Sequence, residues 1–240
     1  VGKKYLETTY HGIIYPIIYD QLDDFDMVSS IDHFEHRLTG PEGEVYQTNH
    51  FGDHAYSFVP TWGMQCGSNM QPFATKAYSK LGMADSAIKP LEFIAKRVCG
   101  EYQRGSWPET ANEKRFAYFS PSAAVWAQEM IESIFGINMD LIANKTFISP
   151  CIPENWGKAE LKLPNIHVIY ERKDGRLAAK IKVENDTEKV FRILLPPYEN
   201  IKAIVNGREA KVSTRTRCGF FEASFDMGNE KEFKVEIEYA

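Results

Sequence analysis

The chain has 240 residues, 43% of them hydrophobic and 25% charged, with a net charge of -5. That length can bury a substantial core in one or two domains. The missing basic excess argues against nucleic acid or an anionic membrane surface as partner. No apolar run reaches the length of a membrane-spanning helix. Cys66, Cys99, Cys151 and Cys218 form no CxxC pair, so neither a zinc cage nor a disulfide scaffold is expected.

A helical pattern is already under way between Tyr5 and Tyr19, which fits the edge of a longer chain. Asp26 is then placed to cap a helix carrying Met27, Val28, Ile31, Phe34 and Leu38 on one face and ending before Gly40. A second helix carries Met70, Phe73, Ala74, Ala77, Tyr78 and Leu81, with Gly82 as its stop. Asp85 opens a third, with Ala87, Ile88, Leu91, Ile94, Ala95 and Val98 inward and Gly100 at its end; Cys99 falls on the apolar side as a small hydrophobe. Ser120-Pro121 opens a fourth, whose inward set is Ala123, Ala124, Ala127, Met130, Ile131, Ile134 and Phe135, closed by Gly136.

The links between these helices are unequal. Gly82-Met83-Ala84 is minimal, whereas Thr39 to Trp62 and Gly100 to Phe119 are long. Long ordered loops usually carry function. In an up-and-down array, both long loops fall at the same end.

After a Pro-rich joint, Ser149-Pro150-Cys151-Ile152-Pro153-Glu154-Asn155-Trp156-Gly157, the period changes from helical to alternating beyond Pro164. Ile166, Val168 and Tyr170 lead through Asp174-Gly175 into Leu177, Ala179, Ile181 and Val183. Phe191, Ile193 and Leu195 follow, then Ile201 to Val205 with Asn206-Gly207, then Phe221 to Phe225 and Phe233 to Tyr239. About seven antiparallel strands are expected, in a small sandwich with lysines and glutamates on a solvated face. The fold class is α+β, with boundaries expected at 1–145 for the helical segment, 146–163 for the joint and 164–240 for the β domain.

The second long loop contains Arg104-Gly105-Ser106-Trp107-Pro108-Glu109. An indole can stack on the apolar face of a pyranose, and a fixed carboxylate can activate water. Pro108 stiffens the backbone before Glu109. A turn whose Trp plugs a neighbouring gap accounts for the same hexapeptide. The first long loop contains Tyr46, His50, Asp53 and Tyr56, alternating hydrogen-bonding groups with aromatics as a sugar subsite requires. His50, Asp53 and His54 lack the spacing of a recognised metal site, so no metal is expected, nor any other cofactor. No GxSxG elbow is present to support a serine hydrolase.

Ser120-Pro121-Ser122-Ala123-Ala124-Val125-Trp126, then Ile134-Phe135-Gly136-Ile137, then Phe147-Ile148-Ser149-Pro150-Cys151-Ile152-Pro153-Glu154-Asn155-Trp156 resembles the end of the six-hairpin (α/α)6-toroid glycosidases. The group includes glucoamylase-, α-rhamnosidase- and cellobiose-phosphorylase-like enzymes, and the resemblance spans roughly residues 10 to 200. It implies a partial toroid of antiparallel helical hairpins followed by the C-terminal β domain, both long loops lying on the catalytic face. It also implies an inverting glycoside hydrolase with Glu109 as general base and Trp107, Trp62, Tyr46, His50, Asp53 and Arg104 around an oligosaccharide or glycoside. In a phosphorylase of the same fold, phosphate replaces the base and Glu109 binds substrate. A non-catalytic carbohydrate-binding or scaffold protein is the remaining alternative. A complete toroid needs about twelve helices, so the general acid is expected from an N-terminal part outside these residues, and the segment alone is expected to be inert. Compartment is not legible in the chain; a periplasmic or extracellular location is the working expectation.

Overall fold

The computed structural model describes residues 10–46, 70–101, 107, 120–173, 175–197 and 200–239. Its contacts divide the chain into two units, one formed by residues 1–80 and 86–129, the other by 81–85 and 130–240. The architecture is mixed α+β, with five α-helices and eleven strands among the described residues, and no closed ring of helices is identified.

In the first unit, α1 (Tyr10–Ile18) buries Tyr10, Ile14, Ile17 and Ile18. Its last turn is closed by Lys80, whose Nζ donates to the Ile18 carbonyl at 2.5 Å and to Asp20 Oδ2 at 2.6 Å. A cation there offsets the negative end of the helix dipole. α2 (Asp24–Leu38) is capped by Asp23, whose carboxylate accepts from the Asp26 amide at 2.8 Å. Asp26 is therefore inside the first turn rather than at the cap. The buried stripe is Met27, Ile31, Phe34 and Leu38. Val28, expected on that face, is exposed because it sits about 100° round the helix from Met27.

α3 (Met70–Lys80) buries Met70, Ala74, Ala77 and Tyr78. α4 (Ala84–Lys96) buries Ala87, Ile88, Leu91, Phe93 and Ile94. Thr75 Oγ1 donates to the Ala87 carbonyl at 2.8 Å, joining the two helices. α4 runs into a π-helical turn, Arg97–Glu101. The wider turn changes the facing of its residues, so Val98 is buried but Cys99 is exposed, against expectation.

α5 (Ser120–Glu129) also inverts an expectation. Ala124 and Ala127 are exposed, while Ser122 and Glu129 are buried. The face turned inward is the one that carries Trp126, whose indole donates to the Leu91 carbonyl at 3.0 Å. Alanine fits either face, so the bulky and bonded residues decide. α1 packs against α2 and α3, and α3 against α5. No described helix is long and apolar enough to cross a membrane.

The second unit holds two sheets. β1 (Ile137–Asp140), β2 (Lys145–Ile148), β6 (Glu188–Leu195), β10 (Phe220–Gly228) and β9 (Ser213–Arg217) form one, in that order. β3 (Lys158–Leu163), β4 (Ile166–Lys173), β5 (Arg176–Val183), β11 (Glu232–Tyr239), β7 (Ile201–Val205) and β8 (Arg208–Glu209) form the other. The alternating segments fall where the period placed them, and β5 shows strict alternation with Lys180 and Lys182 outward. β1, β2 and β3 precede the point where alternation becomes visible in the sequence. One pairing departs from the antiparallel expectation: β2 runs parallel to β6, with Phe147 opposite Val190. The chain builds β3 to β5 of the other sheet before returning beside β2, so the pair needs no tight turn.

Phe191 and Phe225 stack at 5.3 Å in the five-stranded sheet. Tyr170, in the six-stranded sheet, donates its hydroxyl to the Phe135 carbonyl at 2.9 Å. Gly136 takes φ +75° where α5 and its terminal π turn give way to β1.

Candidate functional site

Each of the two long connections contributes one described residue to an aromatic cluster of the first unit. Phe93, Ile94 and Val98 form its buried floor, and Tyr46, Trp107 and Trp126 pack against it. The Trp107 and Trp126 rings lie 6.1 Å apart at 57°. Tyr46 belongs to the first long connection and Trp107 to the second, so two of the residues singled out in the sequence meet here. Trp62, His50, Asp53, Arg104 and Glu109 lie outside the described residues.

The start of the first connection is tightly specified. Residues 39–45 fold into a small hairpin in which Thr39 bridges Val45, the Gly40 amide donates to the Glu44 carbonyl at 2.9 Å, and Tyr46 N donates to Leu38 O at 2.8 Å. Gln71, fully buried near the start of α3, acts as a clamp: its Oε1 accepts from Val45 N and its Nε2 donates to Val45 O, both at 2.8 Å. The amide thus treats one residue as a neighbouring strand would, and leaves no buried backbone group of Val45 unpaired.

Glu44 is a buried carboxylate in this hairpin. Its Oε1 accepts the Tyr46 hydroxyl at 2.9 Å and its Oε2 the Glu42 amide at 2.9 Å. A Cβ on Gly40 would fall 1.9 Å from Glu44 Oε1, so the carboxylate occupies space that only glycine leaves. The Tyr46 phenol is therefore oriented by an acid two residues back. Nearby, Arg97 lies over the Phe93 ring at 5.0 Å and reaches Glu42 at 3.7 Å.

Deeper in the same unit, Glu129 is fully buried with Lys76 Nζ 3.6 Å from its Oε1. Tyr10, also fully buried, donates to the Met70 carbonyl at 2.7 Å. Burial pushes the Tyr10 phenol well above its ordinary pKa, with smaller contributions from Tyr15 and Glu129. Burial and then Glu35 do the same to Tyr78. These phenols stay protonated at any ordinary pH and belong to the core. Glu44, Gln71 and Glu129 carried no signal in the sequence: in local context each is one polar residue among others, and only the tertiary partner gives it a role.

Among the described residues no three His, Cys, Asp or Glu side chains gather in an arrangement that holds a metal. The described part contributes a partly exposed aromatic wall, one oriented phenol and one anchored residue from each long loop.

No family model matches the chain, and no curated protein does. Solved structures do. The chain is similar to the α-L-rhamnosidase of Dictyoglumus thermophilum with a TM-score of 0.59 at 10% identity, covering 96% of this chain and 25% of that one. It is similar to the Streptomyces avermitilis α-L-rhamnosidase complexed with L-rhamnose with a TM-score of 0.53 at 12% identity, covering 95% and 21%. The likeness is one of fold. It spans the helical and the sheet parts in each match, and the chain is about a quarter of either enzyme's length or less.

Proposed function

We propose that these residues are the C-terminal portion of a carbohydrate-active enzyme, an inverting glycoside hydrolase in which Glu109 is the general base. The observation that carries the reading is a fold match that runs through helices and sheets alike to an α-L-rhamnosidase over 96% of the chain. In this reading the helices are the last hairpins of an (α/α) toroid, and the sheets are the β domain that follows it. Tyr46 and Trp107, one from each long loop, pack on one apolar cluster, and with Trp62, His50, Asp53 and Arg104 they line the subsites of a glycoside.

Inversion needs an acid to protonate the leaving oxygen and a base to activate water on the opposite face of the sugar, with the two carboxyls roughly 6.5–9.5 Å apart. Glu109 supplies the base. The acid comes from outside these residues.

The test is made on the longer protein, with a panel of nitrophenyl glycosides that begins with the α-L-rhamnoside because of the two structural neighbours. Glu109→Gln should lower kcat by about 10²–10⁴-fold, the usual scale for a lost general base, with KM and folding little changed, and the product of the unmodified enzyme should appear with inverted anomeric configuration by NMR. Strict dependence on inorganic phosphate would move the assignment to a phosphorylase. Turnover by the 240-residue chain alone, abolished by Glu109→Gln, would refute the shared site.

A further inference from the structure

The five-stranded sheet carries a second cluster of charge. Pairing places Arg192 of β6 opposite Ser224 of β10, and Ser224 opposite Ser213 of β9. In the next row Leu194 faces Glu222, and Glu222 faces Arg215. Residues directly opposite share a face, so Arg192, Ser224, Glu222 and Arg215 stand together, on the side away from the stacked Phe191 and Phe225.

Glu222 is nearly buried and is held by a fork: Arg215 Nε and Nη2 donate to its two oxygens at 2.9 and 3.0 Å. Arg217 Nη1 lies 3.5 Å from Glu222 Oε2. Two guanidinium groups therefore meet this carboxylate, and a third stands in the adjacent row of the same face. Arg192 is the third, and it is disposed differently. Its Cζ lies 3.9 Å from the centre of the Phe147 ring, and among the described residues no carboxylate or carbonyl accepts from it. Stacking uses the flat face of a guanidinium and leaves its in-plane N–H donors available. Burial lowers its pKa, Glu222 opposes that, and Arg215 and Arg217 add to the lowering; the group is cationic at neutral pH all the same. The side chain is thus a preformed fork with the Glu222 carboxylate and the like charges of Arg215 and Arg217 around it, and its own donors remain available to an anion.

We propose that Arg192, Ser224 and Arg215 form an oxyanion-binding site on this face, which takes the carboxylate or phosphate group of a small anionic ligand. Arg192 provides the planar fork, Ser224 a hydroxyl donor, and Arg215 a cation whose position Glu222 fixes. Guanidinium geometry suits both oxyanions in bidentate form. The site is independent of the glycosidase assignment, because it involves none of the loop residues.

Binding is measured by calorimetry on the 240-residue chain at low salt with D-glucuronate, glucose 6-phosphate, inorganic phosphate and, as a neutral control, glucuronate methyl ester. Arginine Nε–Hε resonances are followed in parallel. At least one anion should bind with Kd on the order of 1 mM and shift the Arg192 resonance, and the tighter class identifies the group the site takes. Arg192→Met, which keeps a chain over Phe147, should weaken binding at least ~10-fold, while Lys180→Met on the other sheet leaves it unchanged. Equal binding by Arg192→Met, equal binding of the neutral ester, or no Arg192 shift at saturating anion overturns the proposal. If Arg192→Met does not fold, Arg192→Lys decides: charge without the fork should still lose most of the affinity.

Discussion

Replacing Gly136 by alanine should be among the most damaging single-methyl changes in the second unit. The residue sits at φ +75°, and a Cβ there would lie 2.1 Å from the Ser149 carbonyl carbon, 2.2 Å from its oxygen and 2.5 Å from Pro150 N. Comfortable carbon contacts begin near ~3.5 Å, so the backbone at 149–150 has to retreat by roughly 1.4 Å from that contact distance. It cannot do so freely, because Ser149 N donates to the Gly136 carbonyl at 2.8 Å and Cys151 N to the Ile134 carbonyl at 3.0 Å. Left-handed backbone costs an alanine about 1–2 kcal/mol, and overpacking adds about 1–3 kcal/mol. Weakening those two hydrogen bonds adds up to about 1 kcal/mol each. The total is about 2–7 kcal/mol, a large share of the ~5–15 kcal/mol that holds a typical domain folded. Gly207 supplies the control, with φ +79° and nothing within 4 Å of its would-be Cβ. Gly207→Ala carries only the backbone term and should cost about 1–2 kcal/mol. Urea unfolding of both variants, with the midpoints compared, isolates the contact. Equal shifts for the two would mean that the close approach of 149–150 to Gly136 is wrong.

Two further perturbations read other parts of the β unit. Tyr170→Phe removes the hydroxyl that bonds the Phe135 carbonyl at 2.9 Å in a fully buried setting; urea unfolding should show a loss of about 1–2 kcal/mol, and no loss would mean the bond does not form. Burial pushes the Cys151 thiol up to about 12, with Arg172 opposing and Asp85 adding to the rise. The unfolded thiol ionises first, so the folded state binds more protons between about pH 9 and 12 and stability falls as pH rises through that window, by up to ~1.4 kcal/mol per pH unit. Cys151→Ala should remove that part of the alkaline slope in pH-dependent urea melts; an unchanged slope would place Cys151 in contact with water.

The sequence pattern located what depends on local periodicity. The apolar stripes of α2 to α4, the glycine stops at Gly82 and Gly136, and the Asn206-Gly207 turn all reflect constraints that act within a few residues, and Gly82, Gly136 and Gly207 do take positive φ. What escaped detection is held by distant partners. β2 becomes a strand because Lys145 to Ile148 finds Glu188 to Phe191 alongside, a pairing with no trace in four residues of mixed polarity. β9 is polar throughout because it is an edge strand, and two of its arginines serve a glutamate on the next strand. Lys189 breaks the alternation rule outright. It points inward with no exposure, and its ammonium donates to the Asn185 and Thr187 carbonyls at 2.7 Å each. The pattern assigns lysine to the solvated face, but a buried cation is tolerated where carbonyl dipoles replace its water.

Trp107 shows how the two accounts of the Trp-Pro-Glu loop combine. Its ring packs on Phe93, Ile94 and Val98 beside Trp126, which is the gap-plugging role the hexapeptide alone allowed. That role excludes a free-standing stacking platform, since part of the indole surface is already spent on the protein. It also does something a solvent-facing turn would not. A large apolar side chain anchored on a buried floor restricts the backbone that carries it, and Pro108 fixes φ at the next residue. Glu109 is two residues from the anchor. A general base needs a defined position more than it needs an aromatic neighbour, so on the proposed mechanism the principal contribution of Trp107 is to hold the loop, and its exposed edge is what remains for sugar.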